Sequence, residues 1–226
     1  MVTDSQVKKD SDQLFFNTLP KDAVLALKKC SEIDFFLHDK WYLAGGTALA
    51  LRAGHRRSYD LDFFTENKSF DEKGVEKVLN NQGEWITNHI SEGTVFGLFS
   101  KTKMSLIAYP FFTPAQKVLK FGTVSLLAPA DIAVMKIIAI SQRGKKRDFF
   151  DLYWICQHVV PLYDSILKVD KQYSVRQNPN HILKSLIYFQ DAEDDPEPEI
   201  YFKATWREVK KFFTKEIPVI AKKIIK

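Results

Sequence analysis

The stretch that decides the fold is Leu43 to Phe64, LAGGTALALRAGHRRSYDLDFF. Trp41-Tyr42-Leu43-Ala44 is a short apolar run that stops at Gly45-Gly46, so it reads as a strand entering a turn. Thr47 to Arg52 is rich in strong helix formers, and Gly54 suits the left-handed position after a last helical turn. Tyr59 to Phe64 alternates, with Asp60 and Asp62 on one face of a strand and Leu61 and Phe63 on the other. Glycines let a backbone approach a ligand closely, and a helix N-terminus behind them offers free N–H groups to an anion. Two carboxylates on one strand face are hard oxygen ligands suited to Mg²⁺, shared with waters and phosphates. His55, Arg56 and Arg57 add positive charge between the two features. Each part has an ordinary alternative: Gly-Gly as a plain turn, Asp-x-Asp as a solvated strand face. Their order and spacing together point to phosphate chemistry.

Outward from this stretch, the 226 residues suffice for one large domain or two small ones with a sizeable core. With 45% hydrophobic and 27% charged residues, wholesale disorder and low-complexity architectures are excluded. Net charge is +5, from 33 Lys and Arg against 28 Asp and Glu, which tolerates a polyanionic partner without demanding one. Two cysteines, Cys30 and Cys156, exclude a disulfide framework and a multi-cysteine zinc site, and read as reduced thiols. Residues 1–13 are a polar leader without an apolar core, and no run approaches the ~18 apolar residues of a membrane span. These features predict a cytoplasmic protein with no membrane partner.

On the N-terminal side, Pro20 opens a helix running to about His38, with Val24, Leu25, Leu27, Ile33 and Phe36 on its apolar face. Downstream, Lys68 to Asn81 reads as a helix. Residues 85–90, 94–100 and 104–111 read as strands, the first two joined by Ser91-Glu92-Gly93, and residues 121–127 as a further short strand. After Pro129 the pattern becomes helical: residues 129–142, then 148–158 with Asp148 as N-cap, then 178–191 behind Asn178-Pro179. Residues 191–199, DAEDDPEPE, form an acidic loop. Thr205 and Glu208 make a capping box for a Lys-rich terminal helix, bent or broken at Pro218. The expected architecture is an α/β core over residues 14–127 and a helical part over residues 128–226.

Lys136, Arg143 and Arg147 are spaced to share one face of a continuous helix, although Gly144 argues for a break there. One reading is a solvated basic turn in which Asp148 caps and Asp151 pairs with Arg147. The other is a phosphate-binding element.

With Gly45-Gly46 followed by Asp60-Leu61-Asp62, the chain resembles the AbiEii/AbiGii-type toxin nucleotidyltransferases of the DNA polymerase β-like superfamily. Gly54-His55-Arg56 and Ser58 fit that pattern. So do Asp131 to Lys136, the Arg143 to Leu152 segment, and Tyr188 to Pro196 with Trp206. The match spans roughly residues 40–213. The resemblance implies a polymerase β-like core with a mixed sheet, and a C-terminal helical part packed over the active-site cleft. It implies Mg²⁺ (or Mn²⁺) on Asp60 and Asp62, which would be catalytic. An NTP would be held by Gly45, Gly46, Thr47, His55, Arg56 and Ser58 together with Lys136, Arg143, Arg147, Asp148 and Asp151. It further implies transfer of a nucleotide to an RNA acceptor such as a tRNA end, and a toxin's role opposite an antitoxin encoded nearby. Such enzymes usually carry a third acid on a later strand. The corresponding strand, residues 103–109, has none, and Ser105 stands at that place, so a degenerate nucleotide- or RNA-binding module is the alternative. Asp148, Asp151 and Glu92 are candidate substitutes for the missing acid.

Overall fold

A computed structural model describes residues 14–224, so the leader expected over residues 1–13 lies outside the described residues. The chain divides into two compact units, between Ala128 and Pro129. Among the described residues no helix is long and apolar enough to cross a membrane.

The first unit is α/β. Its elements are α1 (Lys21–Cys30), β1 (Tyr42–Leu43), α2 (Gly45–Ala53), β2 (Leu61–Thr65), α3 (Glu72–Asn81), β3 (Trp85–Ser91), β4 (Thr94–Phe99), β5 (Thr102–Ala108), β6 (Leu119–Phe121) and β7 (Val124–Leu126). The seven strands form one mixed sheet in the order β3-β4-β5-β2-β1-β7-β6. β2 runs parallel to β5 and β1 parallel to β7, while the other pairs are antiparallel. The alternation expected of β2 holds: Leu61 and Phe63 are buried, Asp62 and Phe64 half-buried. Val95, Phe99, Met104 and Leu106 of the neighbouring strands bury the same face. α1 joins this core through Ala23, Ala26, Leu27 and Cys30, with Cys30 Sγ 3.8 Å from Met104 Sδ.

Several boundaries differ from the sequence reading. The first helix ends at Cys30 instead of reaching His38, and a 3₁₀ turn follows over Asp34–Leu37. The cause is long-range. Thr123, in the turn between β6 and β7, donates its hydroxyl to the Cys30 carbonyl (2.9 Å) and its N–H to the Ser31 carbonyl (2.9 Å), occupying the helix's last acceptors. Leu25, assigned to the apolar face, is exposed, and the two alanines and Cys30 take its place. The single strand read over residues 121–127 is a hairpin turning at Gly122, which has φ 57° and no room for a β-carbon against the Ser31 carbonyl. α3 starts at Glu72 because Asp71 caps it, accepting from Gly74 N at 3.0 Å.

The second unit is helical: α4 (Pro129–Arg143), α5 (Lys146–His158), α6 (Leu162–Gln172), α7 (Pro179–Ser185), α8 (Gln190–Glu193) and α9 (Trp206–Ile224). Ile132, Ile137, Phe149, Leu152, Val209 and Phe213 are wholly buried, and Phe149 packs edge-on to Trp206 and Phe213. α6 falls in a stretch left unassigned above. Asn178 caps α7 as expected, but that helix stops at Ser185. The capping box forms, with Thr205 N–H donating to Glu208 Oε2 (2.8 Å) and Glu208 N–H to Thr205 Oγ1 (3.3 Å). α9 runs through Pro218 as one continuous helix, so of the bend or break expected there the break does not occur.

Candidate active site

The turn from β1 into α2 is tied to β2 at one point: Ala44 N–H donates to the Asp62 carbonyl at 3.0 Å. The two glycines behind it form the first residues of α2, and they serve different ends. Gly45 has φ 64°, a conformation side chains resist, and a β-carbon there would lie 3.5 Å from Asp62 Oδ2. The Asp62 carboxylate therefore stands beside the turn. Gly46 does not have a positive φ. Its missing β-carbon leaves the space occupied by the Arg56 guanidinium, for such an atom would be 2.1 Å from Arg56 Nη2 and 3.3 Å from Ser58 Oγ. Both glycines were expected to clear a path for phosphate. The structure adds a backbone requirement at Gly45 and a packed guanidinium at Gly46.

Thr47, next along α2, donates its hydroxyl to the Asp60 carbonyl, and its oxygen lies 2.8 Å from Ser58 Oγ. With the Thr47 proton spent on Asp60, Ser58 is the donor in the hydroxyl pair. Both side chains are buried, so this link fixes the chain leading into β2 and with it the height of Asp60, one residue ahead of the strand. Arg56 is buried and donates Nη1–H to the Arg57 carbonyl at 2.7 Å. Arg57 reaches the Asn17 carbonyl at 3.0 Å. His55, grouped above with the cations between glycines and acids, is only 1% exposed and sits in the interior.

Asp60 and Asp62 are half-buried, where a carboxylate keeps solvent and ligand access. On the parallel neighbour β5, Ser105 is in register with Asp62. The place beside the acid pair is thus held by a hydroxyl, as the sequence suggested. Among the described residues no group of three or more His, Cys, Asp or Glu side chains could hold a metal. Asp62 on β2 and Asp60 one residue ahead of that strand nonetheless suit a single Mg²⁺, which commonly takes one or two protein carboxylates and completes its shell with water and phosphate oxygens. The α2 N-terminus and the Arg56 guanidinium are the positive groups set beside the two acids.

Within the second unit, the sequence-predicted Lys136, Arg143, Asp148 and Asp151 come together where α4 gives way to α5. Lys136 Nζ lies 2.6 Å from Asp148 Oδ1 and 2.6 Å from Asp151 Oδ2, with the lysine side chain 6% exposed and both acids fully buried. Arg143 donates through Nε and Nη2 to the two oxygens of Asp148, at 3.0 and 3.3 Å. Burial alone would raise the Asp148 carboxyl, but the Lys136 and Arg143 charges and the Lys136 hydrogen bond outweigh it and hold the group below its usual range. The Arg143 side chain remains 51% exposed, and Arg147 is exposed.

The chain breaks at Gly144 (φ 55°), and α5 begins at Lys146, two residues before the start read from Asp148 as a cap. Asp195, from the acidic loop, is the reason: its carboxylate accepts from Lys146 N–H at 3.0 Å and from Lys145 Nζ at 3.1 Å. Two residues earlier, Glu193 accepts from Lys210 Nζ (2.6 Å) and Trp206 Nε1 (3.0 Å). Sequence reasoning missed this bracing role, because no local spacing links residues 145 and 195.

The family model described as "Nucleotidyl transferase AbiEii toxin, Type IV TA system" matches residues 30–103 and 102–221. An uncharacterized protein of Aquifex aeolicus (strain VF5) is 34% identical over 203 residues, covering 88% of this chain and 96% of the relative. Among solved structures, JHP933 from Helicobacter pylori aligns at a TM-score of 0.51 and 17% identity, over 91% of this chain and 94% of its own. A second H. pylori chain aligns at a TM-score of 0.52 and 18% identity, over 91% and 97%. At these identities the two structures speak for the fold.

Proposed function

Because this chain belongs to the nucleotidyl transferase AbiEii toxin family, we propose that it transfers a nucleotide from an NTP to an acceptor hydroxyl, with RNA as acceptor. In this reading it serves as the toxin of a toxin–antitoxin pair and is restrained by an antitoxin. The observation that carries the proposal is the convergence at Gly45: a half-buried carboxylate on β2, a glycine turn and a helix N-terminus share one place.

The chain's own residues divide the work. The α2 N-terminus and Arg56 receive the triphosphate, and Thr47 with Ser58 fixes Asp60 against it. Asp60 and Asp62 would hold Mg²⁺, which when bound would supply charge stabilisation at the α-phosphate and the departing pyrophosphate. The acceptor hydroxyl forms its bond to the α-phosphorus, its proton passing to solvent, as the bond from the α-phosphorus to the bridging oxygen breaks in line and pyrophosphate leaves. In the second unit, Arg143 and Arg147 are the exposed cations at the corner between α4 and α5, proposed as phosphate contacts of that unit. Lys136, Asp148 and Asp151 then serve by holding that corner rigid. Eight Lys or Arg against two Glu in residues 203–226 supply non-specific attraction for an RNA backbone.

A second reading, a binding module without turnover, is favoured by one observation, the hydroxyl of Ser105 opposite Asp62. Incubation with each α-labelled NTP, Mg²⁺ and bacterial RNA separates the two. Label entering RNA, and lost in Asp60→Asn, supports transfer. Bound NTP and RNA with no label transferred supports the module.

A further inference from the structure

The registers of the sheet place four side chains in one row on the face that carries the acids. Asp62 on β2 is opposite Ser105 on β5, Ser105 is opposite Phe96 on β4, and Phe96 is opposite His89 on β3. The row runs from the candidate metal site to the sheet's edge, since β3 is the terminal strand. Its outer end is aromatic. The His89 and Phe96 rings are stacked, with centroids 6.1 Å apart and planes 30° from parallel. Phe96 is 38% exposed and His89 is exposed, an arrangement that leaves π-faces in water on a strand whose opposite side is buried. Lys103, exposed on β5, projects on the same face two residues from Ser105.

We propose that the His89–Phe96 pair is a stacking platform for an unpaired base of the nucleic-acid acceptor, with Lys103 beside it for the backbone. This deepens the function proposed above and rests on it. Topology assigns the platform to the acceptor in preference to the NTP. The glycine turn follows β1, on one side of β2, so the triphosphate lies on that side of Asp62. The platform lies on the other side, across β5 and β4. At a strand spacing of about 4.8 Å, Phe96 is about 10 Å from Asp62, within reach of the last nucleotides of a strand whose terminal hydroxyl lies at the acids. Stacking needs an open base face, so the acceptor end must be single-stranded, and it reads no particular base, because every base has a π-face.

The test is fluorescence anisotropy with the full chain, using a labelled eight-nucleotide single-stranded RNA of mixed sequence and the same sequence as a blunt duplex. Mg-ATP affinity is measured in parallel by calorimetry. Wild type should prefer the single strand. Phe96→Ala and Phe96→Leu should each weaken single-strand binding by roughly fivefold to a hundredfold, the span of one base–aromatic stack. Phe96→Trp should stay within about twofold of wild type, because the π-face is kept, and Mg-ATP affinity should be unchanged in all three. Since leucine keeps apolar bulk, its loss distinguishes stacking from packing. The proposal is overturned if Phe96→Ala binds the single strand like wild type, if wild type shows no preference over the duplex, or if Phe96→Ala weakens Mg-ATP and spares RNA. Failure of the underlying reading would look different: wild type would then bind none of the four NTPs in the presence of Mg²⁺.

Discussion

At Gly46 the space where a β-carbon would stand is filled by a guanidinium, and this makes the residue a sensitive probe of the site. In Gly46→Ala, Arg56 must move. Its guanidinium is the far end of a flexible side chain, so the fold should survive with little loss. Mg-NTP affinity should fall by roughly tenfold or more, the scale of one charge-assisted contact. Gly45→Ala should differ by losing stability as well. The left-handed backbone there costs an L-residue about 1–2 kcal/mol, which denaturant melting would read as a lower midpoint. Equal stability of the two variants would contradict this division of roles. The acids, the glycines and the hydroxyl at position 105 were legible in the sequence, because turn chemistry and strand alternation are local signals. That Arg56 packs on Gly46, and that His55 turns inward, were not, because both depend on how the loop after α2 folds back.

The corner between α4 and α5 shows the same limit at the scale of elements. Gly144 announced a break, yet the start of α5 is set by Asp195, some fifty residues away, and no helix-start rule looks that far. Leu162, Ile166 and Val169 of α6 carry helical spacing, but Pro161 reads in sequence as the stop after α5, whereas in the structure it is the N-cap of α6. The corner itself is held by Lys136 between two buried carboxylates. Lys136→Met preserves length but removes the ammonium that both carboxylates share, and should cost about 3–5 kcal/mol at pH 7. The pH dependence has a definite sign. Because the folded Asp148 carboxyl is held below its usual value, its contribution is present above about pH 3.9, the unfolded value, and is lost as pH falls through the folded one. In Lys136→Met, protonation relieves the uncompensated charge. The stability gap from wild type should therefore narrow as pH drops from 7 towards 4, as followed by urea melts, and a constant gap would contradict the account.

For the whole molecule, the α/β half followed by a helical half was readable from periodicity, and the mixed character of the sheet from the resemblance. Strand order and the β6–β7 hairpin were not, because pairing partners lie far apart in sequence. The excess of positive charge is modest, so its placement decides its effect. Arg207, Lys211 and Lys215 are exposed at successive four-residue steps on α9, forming a stripe. If that stripe meets RNA backbone, replacing all three by Gln should lessen the slope of log affinity against log salt by about 2, at ~0.7 per phosphate contact on single strands. An unchanged slope would make the stripe a solvated helix face.

The central claim is that the glycine turn and the two acids form a Mg-dependent nucleotide site. Calorimetric titration of NTP in Mg²⁺ into wild type and into Asp62→Asn measures it most directly, with thermal melting as a control for folding. The account predicts that wild type binds only when Mg²⁺ is present, and that Asp62→Asn loses at least tenfold in affinity. Its melting temperature should stay close to wild type, because a half-exposed carboxylate adds little stability. Equal affinity of the two proteins for Mg-NTP would contradict it.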